Sequence, residues 1–357
     1  MEHQANPQLA NQKLHYPFGK RWSPEPGVPF EVADGVYWLR MPLPIALDHI
    51  NLWILKDEDD LWTVVDTGYD AQECKDVWNK VFNEFLAPDK VKQIIVTHFH
   101  PDHIGLAAWL SHRCDVPILI SKGEFNHYHD IVTRDAKRFN EKVNAFATEV
   151  GFSAEMKQSL MSFFGSSGKG DQKRVTHDMC DFIKEGDVIN INGRKWSVVM
   201  GNGHSPEHAC LYSDELDALI SGDQAIARIS SNISVYPSNP DANPLNDWLH
   251  SCAKLRDKFG DQTLVLAAHQ EPFKGIRQRM QAMIEEHHAN LEKIRFSLVN
   301  KLNTISVRQV IFDRELNLIQ TVLATGETLA HLNYLKSRQE LNISYQQGVA
   351  YYQLVSK

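Results

Sequence analysis

A chain of 357 residues with 43% hydrophobic and 23% charged side chains has an ordinary globular balance, enough for one large domain or a large and a small one. Its formal charge of −8 weighs against a nucleic-acid backbone as the main partner, since such binders carry a basic face. No apolar run approaches the roughly 18 residues of a membrane-spanning helix, and the polar opening MEHQANPQLANQKLHYPFGKRW holds no apolar signal region, so a cytoplasmic protein is expected. The five cysteines, Cys74, Cys114, Cys180, Cys210 and Cys252, are scattered without a C-x-x-C pair, which argues against a disulfide framework and a thiolate metal site.

The first forty residues are proline-rich and loop-like, and VYWLRMPLP then reads as a strand. INLWILKDEDDLWTVVDTG reads as a hairpin closed by the acidic turn KDEDD. Asp70 is the expected N-cap of a helix that places Val77, Val81, Phe82 and Phe85 on one face. VKQIIVTHFH is expected as a strand, IGLAAWLSH as a short helix and VPILIS as another strand. From about Lys122 to Thr176 the pattern turns helical, with GEFNHYHDIVTRDAKRFNEKVNAFATEVG as its strongest part and the glycine-rich GSSGKGD as a mobile hinge.

Strands resume with RKWSVVMG, HACLYSDELDALISGD and QTLVLAAH. The tail from Arg277 is helical, with Met280, Met283, Ile284, His287, Leu291, Ile294 and Leu298 at steps of three and four. Two short helical segments and the strand-like runs ELNIS and VAYYQLV complete the chain, and no solenoid repeat is present.

The chemistry concentrates in IIVTHFHPDHIG, where His98, His100, Asp102 and His103 follow an apolar, β-branched run. A lone histidine is more often a satisfied core residue than a ligand. Here the pattern recurs: His204 in GNGHSPEHA, Asp223 in LISGD and His269 in VLAAHQEP each follow an apolar run. Each should therefore sit at a strand end, where rigid elements can bring side chains together. Gly201, Gly203 and Gly222 allow close backbone approach beside them.

Taken in order, His-x-His-x-Asp-His, the histidine of GHSPEH, the aspartate of SGD and the late histidine resemble the metallo-β-lactamase superfamily of metal-dependent hydrolases. VVDTGYD fits that family's first motif, and the resemblance spans roughly residues 30 to 275. It implies an α+β fold, a four-layered αββα sandwich with metals at one edge of its two sheets. The accompanying organisation is an N-terminal extension at 1–29, a catalytic domain at 30–276 with a helical lid insertion at about 122–176, and a helical linker with a small winged-helix-like domain at 277–357.

The resemblance assigns His98, His100 and His204 to one metal and Asp102, His103 and His269 to a second, with Asp223 bridging and Asp66 orienting the loop behind them. Nitrogen and oxygen donors suit zinc first, with iron or manganese as alternatives. The implied enzyme is a hydrolase in which a hydroxide held between two divalent ions attacks a thioester, ester or lactone of a small organic acid, with Asp102 and Asp223 as catalytic carboxylates. One rival is a nuclease or phosphodiesterase built on the same dinuclear site. Another is a nucleic-acid-binding protein with a structural metal, disfavoured because structural zinc sites close with four ligands.

Two departures leave the substrate open. The late motif reads AAHQEPF where many relatives have Gly-His-Gly, and the helical insertion separates His103 from His204. Phe125, His127, Tyr128, His129, Phe163 and Phe164 are expected as pocket wall under the insertion. In the loop after Asp223, Arg228, Asn232 and Tyr236 are expected to contact substrate, Tyr236 as a donor to an oxyanion. TGETLAHLNYLKSRQELNIS with VAYYQLV resembles the winged-helix appendage of some members of the family. Only Lys336 and Arg338 supply positive charge there, too little for phosphate binding. That appendage is expected to border the active-site cleft or a homodimer interface, and the expected partner is a small-molecule substrate, not nucleic acid or membrane.

Overall fold

The computed structural model describes residues 13 to 44, 47 to 165 and 174 to 355, with side chains omitted at 163 to 165. The hinge reading of GSSGKGD, the pocket reading of Phe163 and Phe164 and the start of the polar N-terminal extension therefore lie outside the described residues. The chain divides into two compact units. The first takes the described residues up to His129, those between Asp171 and Ser231, and Ala253–Ala282. The second takes those between Asp130 and Gly170, Asn232–Cys252 and those from Met283 on.

The first unit opens with four strands, β1 (Phe30–Ala33), β2 (Val36–Pro42), β3 (His49–Lys56) and β4 (Trp62–Val65), each antiparallel to the one before. The KDEDD turn closes the β3–β4 hairpin as the sequence indicates, with Asp57 capping a single 3-10 turn. Helix α1 (Gln72–Glu84) starts later than expected. Ala71, which has no side-chain acceptor, is its cap, and the Asp70 carboxylate is engaged instead 2.6 Å from Lys75 Nζ. Its buried stripe is Cys74, Trp78, Val81 and Phe82, and Trp78 Nε1–H donates to the Thr67 carbonyl at 2.8 Å.

Strand β5 (Val91–Ile95) ends before the histidines instead of running through them. Val96 N–H still reaches the Leu119 carbonyl of the next strand, and beyond it Thr97 N–H goes to the Asp66 side chain and Phe99 N–H to that of Glu124. Helices α2 (Pro101–Ile104) and α3 (Ala107–Cys114) lead to β6 (Ile118–Ser121), and the insertion follows as α4 (Lys122–Thr133), α5 (Ala136–Val150) and α6 (Ala154–Gly165). The helical run breaks twice, first where Asp135 caps α5 by accepting the Arg138 N–H at 2.7 Å and again at Gly151, which ends α5 in a left-handed conformation.

Strand β7 (Cys180–Ile183) completes a seven-stranded sheet in sequential order, parallel from β4 onward. The strands β8 (Val188–Ile191), β9 (Arg194–Gly201), β10 (His208–Ser213) and β11 (Ala218–Gly222) form a second sheet. Helix α7 (Pro244–Lys258) then precedes β12 (Leu264–Ala267), which joins that sheet parallel to β11 in the order β12-β11-β10-β9-β8.

Side chains alternate along β3, so both faces of the first sheet are apolar. Ile50, Leu52 and Ile54 face the cluster containing Trp78, Phe82 and Leu110, the helix side. Trp53 and Leu55 face the second sheet, with Trp196, Val198, Leu211, Ile220 and Leu266. On the far side of that sheet Val199, Cys210, Leu219 and Val265 are buried too, and the Tyr212 ring lies 4.7 Å from that of Phe259. These layers are the sandwich that the motif order implied.

Helix α8 (Ile276–Ser297) is followed by β13 (Leu302–Asn303), α9 (Thr304–Ile311), α10 (Leu318–Ser337), β14 (Leu341–Gln346) and β15 (Val349–Leu354). The last three strands form a small antiparallel sheet, β13-β15-β14, in the second unit. Helix α10 is twice the length expected of a short segment. An Asn317–Gln320 capping box starts it, and it runs unbroken through TGETLAHLNYLKS. The second half of the insertion belongs to this unit: α5 buries Phe139, Val143, Ala147 and Val150 and packs against β15. Among the described residues no helix is long and apolar enough to cross a membrane.

Candidate metal centre

Every donor of the centre stands just beyond a strand of the first unit. Asp66 directly follows β4 and holds a left-handed backbone (φ 62°), a conformation non-glycine residues adopt at a cost. That turn aims its carboxylate back at the His98–His103 loop. Oδ1 accepts the Thr97 N–H at 2.8 Å, and Oδ2 accepts His103 Nδ1–H at 2.8 Å and the Thr97 hydroxyl at 2.8 Å. Thr67 clamps the same loop, its N–H and hydroxyl both donating to the His103 carbonyl at 2.9 and 2.6 Å. With its Nδ1 proton committed to Asp66, His103 presents Nε2 to the centre. His269 is held likewise, Nδ1–H donating to the His49 carbonyl at 2.9 Å.

The remaining donors arrive from the second sheet. His204 comes from the β9–β10 turn and Asp223 from the residue after β11. The Gly222 backbone before it has φ 49°, and a Cβ there would lie 2.5 Å from the His208 ring, so only glycine fits. Two sets result: His98, His100, His204 and Asp223 in one, Asp102, His103 and His269 in the other, the donor atoms of each set within 4.8 Å of one another.

Asp223 reaches both. Its Oδ2 is 3.3 Å from His204 Nε2 and 3.9 Å from His98 Nε2, while Oδ1 is 3.3 Å from His269 Nε2 and 3.6 Å from His103 Nε2. Asp102 Oδ2 lies 3.3 Å from His269 Nε2 and 3.6 Å from His103 Nε2. A tetrahedral zinc with bonds of about 2.0–2.1 Å separates its donors by about 3.3–3.4 Å, so these spacings suit ions held between the groups.

Two further features fit cations in this pocket. His103 Nε2 and Asp223 Oδ1 are buried atoms without a hydrogen-bond partner, an arrangement that interiors avoid unless something else satisfies them. The electrostatics agree. Burial, reinforced by His103 and His100, keeps His98 well below the usual imidazole range, and burial with His204 takes His100 down to about 3, so both are neutral lone-pair donors. At His103 burial works the other way from the outcome: Asp66, Asp102 and Asp223 outweigh it and raise the pKa well above the usual value. For His269 burial is likewise outweighed, by Asp223 and Asp102. This half of the centre is anion-rich and draws positive charge.

Reading the sequence overlooked two supports of the centre. Glu124 on α4 is fully buried, and its carboxylate accepts from Phe99 N–H (3.0 Å), the Ser205 hydroxyl (2.6 Å) and Glu207 N–H (2.7 Å), tying the loops of both sheets together. His208 stacks on His98 with ring centroids 4.7 Å apart, and its Nε2 accepts the Asp223 N–H at 3.1 Å. The second histidine of GHSPEH was the one available signal for it.

The residues expected around a substrate are dispersed. His127 packs on Phe99, which lies between His98 and His100, with ring centroids 4.4 Å apart. Tyr128 and Phe125 join the core on the helix side of the first sheet, where the Tyr128 hydroxyl accepts the Val175 N–H at 3.3 Å, and His129 lies 5.9 Å from Phe125. Arg228 is ion-paired with Glu271, two residues from His269. Asn232 and Tyr236 belong to the second unit. There the Asn232 side chain accepts the Ser234 hydroxyl, and Tyr236 borders a cavity with Phe146, Phe152, Leu160 and Val322.

Fold and donor set define a metal-dependent hydrolase. The profile of the metallo-β-lactamase superfamily matches residues 46–269, and that of the metallo-β-lactamase-like C-terminal domain matches residues 294–355. The chain belongs to the metallo-β-lactamase superfamily. The crystal structure of a β-lactamase domain protein from Burkholderia ambifaria is 36% identical and superposes with a TM-score of 0.86 over 98% of this chain and 100% of that one. The Bacillus subtilis protein named probable metallo-hydrolase YqjP is 24% identical over 342 residues, 91% of this chain and 99% of its own. A hydroxyacylglutathione hydrolase of Hydrogenovibrio crunogenus is 30% identical over 111 residues, 31% of this chain and 36% of that protein.

Proposed function

We infer that His98, His100 and His204 hold one divalent ion, Asp102, His103 and His269 a second, with Asp223 shared between them, and that the enzyme hydrolyses a thioester, ester or lactone of a small organic acid. The observation that carries this is the division of Asp223, one oxygen 3.3 Å from His204 and the other 3.3 Å from His269. Zinc is the proposed ion, since imidazole and carboxylate donors suit it. Divalent ions bound there supply Lewis acidity and bring the pKa of water down to about 7.

The chain's own groups do the rest. Asp66, Thr97 and the His49 carbonyl fix which ring nitrogen His103 and His269 present. Asp102 keeps 16% of its side chain open, more than Asp223 at 11%, and is the carboxylate placed to exchange a proton with water and the departing group. The relative named as a hydroxyacylglutathione hydrolase lends support to a thioester, because an acyl group on glutathione is one. A small-molecule partner also agrees with the C-terminal cations: Lys336 is paired with Asp241 at 2.8 Å, and Arg338 lies over the Tyr334 ring.

Zinc-loaded protein is assayed on thioesters, lactones, esters and model phosphodiesters beside the Asp102→Ala variant. Turnover of a thioester, ester or lactone is expected, falling at least about 100-fold in the variant, with far-UV circular dichroism unchanged. Turnover confined to phosphodiesters would overturn the substrate reading, and unfolding of the variant would make Asp102 structural.

A further inference from the structure

The second unit carries a group of donors that the hydrolase centre does not use. His287 lies on α8, and Glu327 and His331 stand four residues apart on α10, hence on one face of that helix. Both imidazoles are buried, with rings 5.3 Å apart and His287 Nδ1 3.3 Å from His331 Nε2. One donor atom from each of the three residues lies within 4.8 Å of the other two.

Two buried imidazoles can simply share a proton, and that reading leaves a remainder. His331 Nδ1–H donates to the Glu327 carbonyl at 2.8 Å, so its Nε2 carries the lone pair that faces His287. If His287 satisfies that lone pair with Nδ1–H, its own Nε2 is left a bare acceptor. That atom is buried and has no hydrogen-bond partner. A carboxylate beside the pair is also unexplained by proton sharing alone, since burial and the neighbouring Glu286 both disfavour its charge.

A cation held between His287 Nδ1 and His331 Nε2 takes up both facing lone pairs and gives the buried carboxylate a charge partner, with the His287 proton placed on Nε2. A backbone carbonyl holding one ring nitrogen is how ligating histidines are usually oriented. The 3.3 Å between the facing nitrogens matches the donor spacing of a tetrahedral ion with bonds of about 2.0–2.1 Å. We propose that His287, Glu327 and His331 form a further metal site in the second unit, which takes one divalent transition-metal ion of zinc-like chemistry and cross-links α8 to α10. Two nitrogens and one carboxylate oxygen leave a fourth position for water.

Protein loaded with zinc and freed of excess by gel filtration is measured for metal per chain, wild type beside Glu327→Gln and His331→Gln. Each variant is expected to lose one equivalent relative to wild type while its hydrolytic rate stays within about twofold. Equal metal content in all three proteins would overturn the site. Should a variant fail to fold, crystals of zinc-loaded wild type decide, with an anomalous peak expected between His287 and His331. A featureless map there, with peaks at the hydrolase centre, overturns this proposal alone. A peak there and none at the hydrolase centre overturns the other reading and leaves this one standing.

Discussion

Asp66 shows how much of the centre rests on one residue that need not touch a metal. Its left-handed backbone and two-sided carboxylate set the Thr97 turn and the ring orientation of His103. Asparagine tolerates the same backbone, so Asp66→Asn isolates the charge and the acceptor from the turn. The expected result is a 10–100-fold loss of zinc affinity, about the usual effect of removing such a partner, with the fold retained. Competition against a chromophoric chelator measures it. Unaltered affinity would reduce Asp66 to a turn residue. Glu124 works at the same scale: a buried carboxylate whose burial raises its pKa is repaid by three hydrogen bonds that lower it.

Elements matter here mainly for where they stop. Past β5 the backbone donors turn to side chains from Thr97, and β11 ends on a glycine that leaves room for the His208 ring. Gly222→Ala places a methyl 2.5 Å from that ring in a backbone conformation alanine disfavours. The steric and conformational costs together are about 2–4 kcal/mol. Urea unfolding should show a lowered midpoint, with activity falling further than stability because Asp223 is the next residue. A midpoint equal to wild type would mean the β11 end relaxes freely, and the rigidity argued for Asp223 would be lost.

Across the whole molecule, the first unit keeps its cohesion and its chemistry apart. Its two apolar clusters are built mainly from strands and longer helices, while the seven donors stand beyond strand ends, five on loops and Asp102 and His103 on the short helix α2. Chelation should therefore abolish hydrolysis and leave the far-UV circular dichroism intact. Thermal stability should fall nonetheless, because an ion present at 100 times its Kd contributes about 2.7 kcal/mol to the state that binds it. Zinc added back should restore both rate and melting temperature. Collapse of the secondary structure on chelation would place metal among the requirements for folding, against the division drawn here.

The amino-acid sequence by itself singled out the seven residues whose donor atoms gather into two sets in the first unit. His-x-His-x-Asp-His packs four donors into six positions, and His204, Asp223 and His269 each follow an apolar run, so local spacing and hydrophobic pattern suffice to find them. The hairpin, the two strand series and the helical insertion are legible for the same reason, because alternation and helical period are short-range properties. Tertiary structure alone decided what those residues meet. Glu124 bonds to groups 25 and more than 80 residues away, and in the sequence it is one more glutamate of a helix. His287 reads as one position of a helical stripe and His331, 44 residues on, carries no signal of its own until packing sets their ring nitrogens 3.3 Å from each other. Spacing along the chain is written in the sequence, but donors from separate elements converge only once the apolar faces that carry them have been buried together.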